Sequence, residues 1–474
     1  MLKPSSRRWI LKSGLRALAI VVLLLAAAGG FALYFHHRFS PDPPSNIFPQ
    51  PASALEAQRQ DIEQFSRLLD MDRSFSPAAR ADADSRIAEL KSEPTPLDRE
   101  RFHVALLRIT ALADNGHTNL YQGRGSFQKL TPVRVVLFAD GLYVLRAKLA
   151  YADLLGARVE RIEGRSTAEA IDALALLHGG TAGWRRSYAA IYIQSPEMLY
   201  GAAIGSSPDK TNWTFRLPDG SQVTHTLPGE ISGAEEPPKM TRWLSPQRIQ
   251  GEDSNWRALM SNDADLPFSL RDFNSAFRRV WIDHGCTLFI QLKAIADVDG
   301  HPLGAFLRAT TDEMRAHPPC NIILDMRFNA GGDYTKAARF ASRLPEFLPP
   351  SGRIYLLIGP QTFSAAITTI AFVKQAAGSR AIILGEPVGD RLTFYGEGNS
   401  GCLPHADLCL HYATGMHDYA HRCYDWGKCF WLNWIFPVHV RSLAPDETIE
   451  MTFADYSAWR DPVLDRAIAR AGIH

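Results

Sequence analysis

Residues 17–35 read ALAIVVLLLAAAGGFALYF, nineteen residues without a charge, close to the ~20 that cross a bilayer as a helix. Lys3, Arg7, Arg8, Lys12 and Arg16 precede the run, and no acidic residue does. A cationic flank stays on the cytoplasmic side, so everything from residue 40 onward is expected outside. The run has no polar face, which argues against a buried core helix. Ser6-Arg7-Arg8-Trp9-Ile10-Leu11-Lys12 resembles the twin-arginine export motif. Ala26-Ala27-Ala28 offers a small-residue cleavage site, which would give a secreted protein. Apolar sequence continues to Phe35 and favours a retained anchor in the inner membrane, with the bulk periplasmic or extracellular. The stretch 41–51, PDPPSNIFPQP, holds five prolines and predicts a stiff spacer off the membrane.

The remainder is globular in composition. Lys+Arg is 51 and Asp+Glu is 50, a formal net charge of +1, which excludes the basic excess of a nucleic-acid binder. Five of the 51 basic residues lie in the N-terminal flank, leaving 46 against 50 acidic ones. A chain of 474 residues implies roughly three domains.

Residues 53–125 predict a helical subdomain, with one apolar stripe at Leu55, Ile62, Phe65, Leu68 and Leu69 and another at Phe102, Leu106, Ile109 and Leu112. Residues 126–230 are β-rich, with hairpin turns at Asp140-Gly141 and Asp219-Gly220. Residues 231–280 form a long connection. From 281 to 474, strands at 286–292, 321–326, 354–358 and 381–384 alternate with helices at 303–315, 334–344 and 364–377. That rhythm means a parallel sheet layered with helices. Asp461-Pro462 caps a final helix. The expected class is α/β, in an α+β multi-domain chain behind a transmembrane helix.

All six cysteines lie beyond the anchor, and Cys402, Cys409, Cys423 and Cys429 are clustered. In an oxidising compartment this set predicts two disulfides pinning an irregular loop, with the pairing open. Zinc is the rival, since His405, His411, His417 and His421 share the segment. No close cysteine pair accompanies them, so no metal is assigned.

Two strand-to-helix turns in the last domain can carry chemistry. The first is Asp325-Met326-Arg327-Phe328-Asn329-Ala330-Gly331-Gly332, where glycines let backbone amides approach a ligand. The second is Gly359-Pro360-Gln361-Thr362-Phe363-Ser364-Ala365-Ala366. It places Ser364 at a helix N-terminus, where free amides stabilise an oxyanion. A serine there is also an ordinary N-cap.

Together these segments resemble the C-terminal-processing and tricorn-core peptidases, family S41. Residues 323–332 are similar to the family's Asp-Leu-Arg-x-Asn-x-Gly-Gly turn, and Thr362-Phe363-Ser364-Ala365 to its Thr-x-Ser-Ala nucleophile turn. Gly385-Glu386-Pro387-Val388-Gly389 matches its Gly-Glu-x-x-Gly segment. Asn115-Gly116-His117-Thr118 resembles its Asp-x-His-Thr element, with Asn in the Asp position. Residues 140–144 and 155–159 resemble its PDZ-like segment.

One branch of the family activates serine with a lysine just after Gly-Glu-x-x-Gly. Here Gly389-Asp390-Arg391 stands there, and a guanidinium is no base. The resemblance therefore implies the tricorn-like branch, a serine peptidase with Ser364 as nucleophile and His117 as general base. It further implies an oxyanion hole from Gly331, Gly332 and Ala365. Candidates for a third member are Glu397, Asp418 and Asp425. No cofactor is implied, and the partners are a peptide or protein substrate and the membrane. Two other readings share these residues: an inactive peptide-binding scaffold of the cell envelope, and a non-peptidase esterase. The absence of a G-x-S-x-G elbow argues against an α/β-hydrolase.

Overall fold

The computed structural model describes residues 4–122, 129–231, 244–246, 252–260, 266–282, 286–298 and 300–472. Pro4–Phe39 is a single helix, and its Leu18–Phe39 portion is long and apolar enough to cross a membrane. Side chains 18–34 are exposed, whereas Phe35 and Phe39 turn onto the globular part and pack with Phe430.

The proline-rich stretch that follows, expected from its composition as a stiff spacer, is held along the globular part. Phe39 O accepts from Gly398 N at 2.9 Å and from Thr414 Oγ1 at 2.7 Å. Pro41 O accepts from Tyr412 Oη at 2.5 Å, Pro44 O from Gln64 Nε2 at 3.0 Å, and Pro49 O from Gln60 Nε2 at 3.1 Å. Proline backbone cannot donate to a ladder, but its carbonyls accept freely. Side chains of the globular part take them and turn the stretch into a strap.

Three helices form the first layer: Ala54–Leu69, Pro77–Ser92 and Arg99–Thr110, each begun by a side-chain cap from Ser53, Ser76 or Asp98. The expected stripes are buried, with Ile62, Phe65, Leu68, Phe102, Leu106 and Ile109 in one core. That core continues into a seven-stranded sheet. Its hairpin Val133–Phe138 and Gly141–Lys148 turns at Gly141, where φ is 145°. Val133–Phe138 is an edge strand, pairing only with its hairpin partner among the described strands. Helices Thr167–Ala175 and Ala182–Tyr192 pack beside this sheet.

The last unit is a six-stranded sheet. Phe277–Ile282 runs antiparallel to Thr287–Leu292, followed in parallel by Asn321–Asp325, Ile354–Ile358, Ala381–Gly385 and Glu447–Thr448. Helices Leu303–Ala316, Thr335–Arg343 and Ala365–Ala377 make the crossovers. The central strands are buried throughout, which explains their unbroken apolar sequence.

Two small ribbons interrupt this rhythm. Thr393–Gly396 pairs with Gly415–Asp418, and Leu408–Tyr412 is flanked by Asn399–Cys402 and by Asn119–Gln122. The second ribbon joins the first layer to the last.

All six cysteines are paired: Cys402–Cys409, Cys423–Cys429 and a third bridge, Cys286–Cys320, absent from the sequence reading. The histidines of the cluster have other partners, His405 with Gln60, His411 with Ser400, His417 with Asn433 and His421 with Asp418. Cys286–Cys320 closes 34 residues of chain and Cys402–Cys409 closes 7. Loop-closure entropy then predicts a loss of about 4 kcal/mol for paired serine substitution at the first and about 2 kcal/mol at the second. Urea denaturation of the two double variants measures both.

Candidate active site

The strand Ile354–Ile358 ends in a turn that hydrogen bonds hold on several sides. Thr362 N donates to Gly359 O at 2.8 Å, and Thr362 Oγ1 donates to Met326 O at 2.9 Å. Phe363 N donates to Asn329 O at 3.0 Å, and Gly389 N to Thr362 O at 2.9 Å. The chain enters the helix Ala365–Ala377 through Ser364, which has φ 53° and ψ −126°. A non-glycine residue there carries roughly 1–3 kcal/mol of strain, sustained only by surroundings that over-determine it.

Ser364 does not act as an N-cap, for its side chain makes no capping bond. Its Oγ lies 3.0 Å from His117 Nε2. Gly331, at φ 110°, permits the close packing, since a Cβ there would lie 2.6 Å from Ser364 Cβ.

His117 comes from the first layer, just before the strand Asn119–Gln122. Asp114, at φ 48°, fixes the approach: Arg391 donates to its O and Oδ2, and Arg185 to its Oδ1. Asn115 Oδ1 accepts from Tyr395 N at 3.3 Å, and Asn115 Nδ2 donates to Thr118 Oγ1 at 3.1 Å. Thr118 Oγ1 donates to buried Asp72 Oδ2 at 2.6 Å, which also accepts from Ala413 N at 2.7 Å. Burial pushes the Asp72 carboxyl up, and hydrogen bonds from Ser74, Thr118 and Ala413 oppose that. Asn115 therefore anchors the histidine turn to its neighbours and does not face the imidazole.

The imidazole is enclosed by aromatic rings. It stacks on Phe394 with centroids 5.3 Å apart and lies 4.4 Å from Phe363. Phe363 stacks in turn on Trp184 at 4.0 Å, and Phe394 on His417 at 4.9 Å. Gly116 allows this closeness, because a Cβ there would meet the Phe363 ring at 2.7 Å. Burial, and next the charge of His117, push His411 below its ordinary range.

The carboxylate facing His117 is Asp390, not one of the three named from sequence. His117 Nδ1 and Asp390 Oδ2 are 3.7 Å apart. Both atoms are buried without a hydrogen-bond partner among the described residues. A movement of about 0.5 Å would bring them into hydrogen-bond range. Glu397 instead approaches His417 Nε2 at 3.4 Å, Asp418 accepts from Thr393 and His421, and Asp425 accepts from Gly427 N. Asp390 was visible as the residue next to the missing lysine, yet its direction depends on contacts that only folding creates.

The amides expected around the oxyanion divide. Gly331 N donates to Asn329 Oδ1 at 2.9 Å and is engaged. Among the described residues nothing accepts from Gly332 N or Ala365 N. Beneath the turn, buried Arg327 forks onto Asp461 at 2.8 Å through two nitrogens and also pairs with Asp325. Burial opposes its charge, but the two carboxylates raise it well above the usual arginine range.

A cleft of about 570 Å³ runs from the serine turn at Gly359, Pro360 and Gln361 to Leu137 and Phe138 of the edge strand. Glu386, one wall of it, is pushed up to about 7 by burial and then by the charge of Glu450. Neither Ser364 nor His117 lines this cleft.

Replacing Thr118 with Val removes one donor from the buried Asp72 carboxylate. The expected cost is about 1–3 kcal/mol of stability, measured by chemical denaturation.

Comparison with family models and with curated proteins gives no match. Among solved structures, the chain is similar to a CPAF mutant at TM-score 0.56 and 12% identity, covering 87% of this chain and 96% of that one. Mature CPAF complexed with lactacystin gives 0.54 and 14%, over 88% and 99% of the two chains. Mature CPAF gives 0.52 and 14%, over 85% and 95%. At these identities the likeness concerns the fold alone: the chain shares the fold of CPAF.

Proposed function

We propose that this protein is a membrane-anchored serine peptidase in which Ser364 is the nucleophile and His117 the general base, with Asp390 as the positioning residue. The observation that carries the reading is Ser364 itself. It is strained, uncapped and 3.0 Å from a histidine nitrogen, an arrangement that costs stability and serves no packing purpose.

In the reaction, His117 Nε2 takes the Ser364 Oγ proton as Oγ bonds to the scissile carbonyl carbon. The carbonyl oxygen, now negative, faces the amides of Gly332 and Ala365. His117 then returns the proton to the departing amine, the peptide C–N bond breaks, and an acyl-enzyme remains. Water repeats the sequence and frees Ser364. Asp390 stabilises the imidazolium that forms twice per turnover. Arg391 takes no part in proton transfer; it holds Asp114.

The cleft supports a peptide as substrate. In the edge strand Val133–Phe138 the Gln194 side chain occupies Val135 N and O, and the Val136–Phe138 end lines the cleft that leads to the serine turn, where an extended chain would lie. Three disulfides support a location outside the reducing cytosol, with Leu18–Phe39 retained as the anchor.

A fluorophosphonate probe is expected to label the protein at Ser364, with labelling lost in Ser364→Ala and strongly reduced in His117→Ala. Folded but unlabelled wild type would instead favour the scaffold. Turnover of casein in preference to short-chain esters separates peptidase from esterase. Asp390→Asn preserves shape but removes the charge, and should lower kcat by roughly a hundredfold or more with KM little changed. A change confined to KM would remove Asp390 from the catalytic arrangement.

A further inference from the structure

The Cys423–Cys429 loop and the short helix Leu432–Ile435 after it expose large apolar side chains: Tyr424 is 68% exposed and Trp426 62% on the loop, and Ile435 58% on the helix. The loop is built to hold its two rings there. Beyond the disulfide, Cys429 N donates to Asp425 O at 2.7 Å and Gly427 N to Asp425 Oδ1 at 2.7 Å. Trp434 Nε1 donates to Cys423 O at 3.1 Å. Met416 N donates to Lys428 O, and Phe430 N to Met416 O, fixing the loop to the strand Gly415–Asp418.

Its position relative to the N-terminal helix identifies what covers these side chains. The apolar span ends at Phe39, and Phe35, one turn earlier, lies 5.4 Å from Trp431 and 6.2 Å from Trp434. Phe39 lies 5.4 Å from Phe430, and Trp426 packs against Trp434 with centroids 4.0 Å apart at a 43° tilt. The exposed rings therefore sit at the level where the helix would leave the hydrocarbon. Exposed Tyr34, His36 and His37 flank Phe35 on the helix, Lys428 lies on the loop and Arg422 next to it. Tyrosine and tryptophan between apolar and cationic groups is the composition that settles at a lipid interface.

We propose that residues 424–435 form a second membrane contact, in which Tyr424, Trp426 and Ile435 enter the headgroup region of the bilayer that the helix spans. The partner is a phospholipid surface. The inference rests on the retained anchor and adds that the globular part lies against the membrane.

The test reconstitutes the full chain into vesicles of phosphatidylcholine and phosphatidylglycerol containing a phospholipid with a photoreactive diazirine near its glycerol. After irradiation, mass spectrometry locates the adducts. Adducts are expected both in Leu18–Phe39 and in residues 424–435. In Trp426→Ser combined with Ile435→Ser, those in the loop should fall by roughly tenfold, as for lost burial of one large apolar side chain. Adducts in the helix with none in the wild-type loop would overturn the inference and leave the anchor standing. Adducts in neither would overturn the anchor and the inference together.

Discussion

Ser364 and His117 are 247 positions apart in the chain, and the contact between them depends on the four-residue ladder between Asn119–Gln122 and Leu408–Tyr412. That pairing, together with Arg391 on Asp114 and Tyr395 N on Asn115, ties the histidine turn to the last unit, which holds the serine turn. Asp72, buried at the join, receives bonds from Thr118 on one side and Ala413 on the other. A charge in that position requires every donor it has, so the polar junction resists slippage of the units against each other. The ladder supplies proximity, and the satisfied carboxylate supplies its precision.

The serine turn answers a different constraint. Its strained backbone persists because Thr362 and Phe363 are bonded to the Met326–Asn329 turn and Gly389 N to Thr362 O. Underneath, Arg327 ties the strand Asn321–Asp325 to Asp461 at the cap of the final helix. The charged group is buried, and both partners are bonded. Removing either carboxylate would leave a buried arginine short of charge, a loss larger than the net worth of the pair.

Strand–helix alternation, the Asp461-Pro462 cap of the final helix and the two chemical turns were legible because each follows from local spacing. Ser364 and His117 were legible only through the resemblance of their surroundings, since a lone serine or histidine carries no such message. The rest depends on contacts far apart in sequence. Asp390 looked like the mere neighbour of a missing lysine until the fold aimed it at His117. Gly331 was expected to offer its amide, but Asn329, two residues earlier, takes it. Cys286 and Cys320 lay outside the obvious cysteine cluster. The prolines of 41–51 read as a spacer because composition says nothing of Gln60, Gln64 and Tyr412, which hold their carbonyls.

The rings beside His117 have one more effect. Phe394 lies within 8° of parallel to the imidazole and Phe363 at 30° to it, 4.4 Å away, so turning the imidazole over about its Cβ–Cγ bond would disturb both contacts. In the proposed reaction a proton gained on Nε2 would then leave from Nε2, and the departing amine and the incoming water would in succession occupy the same small space beside Ser364. Gly396, whose missing side chain would sit 3.7 Å from that nitrogen, helps to keep it open.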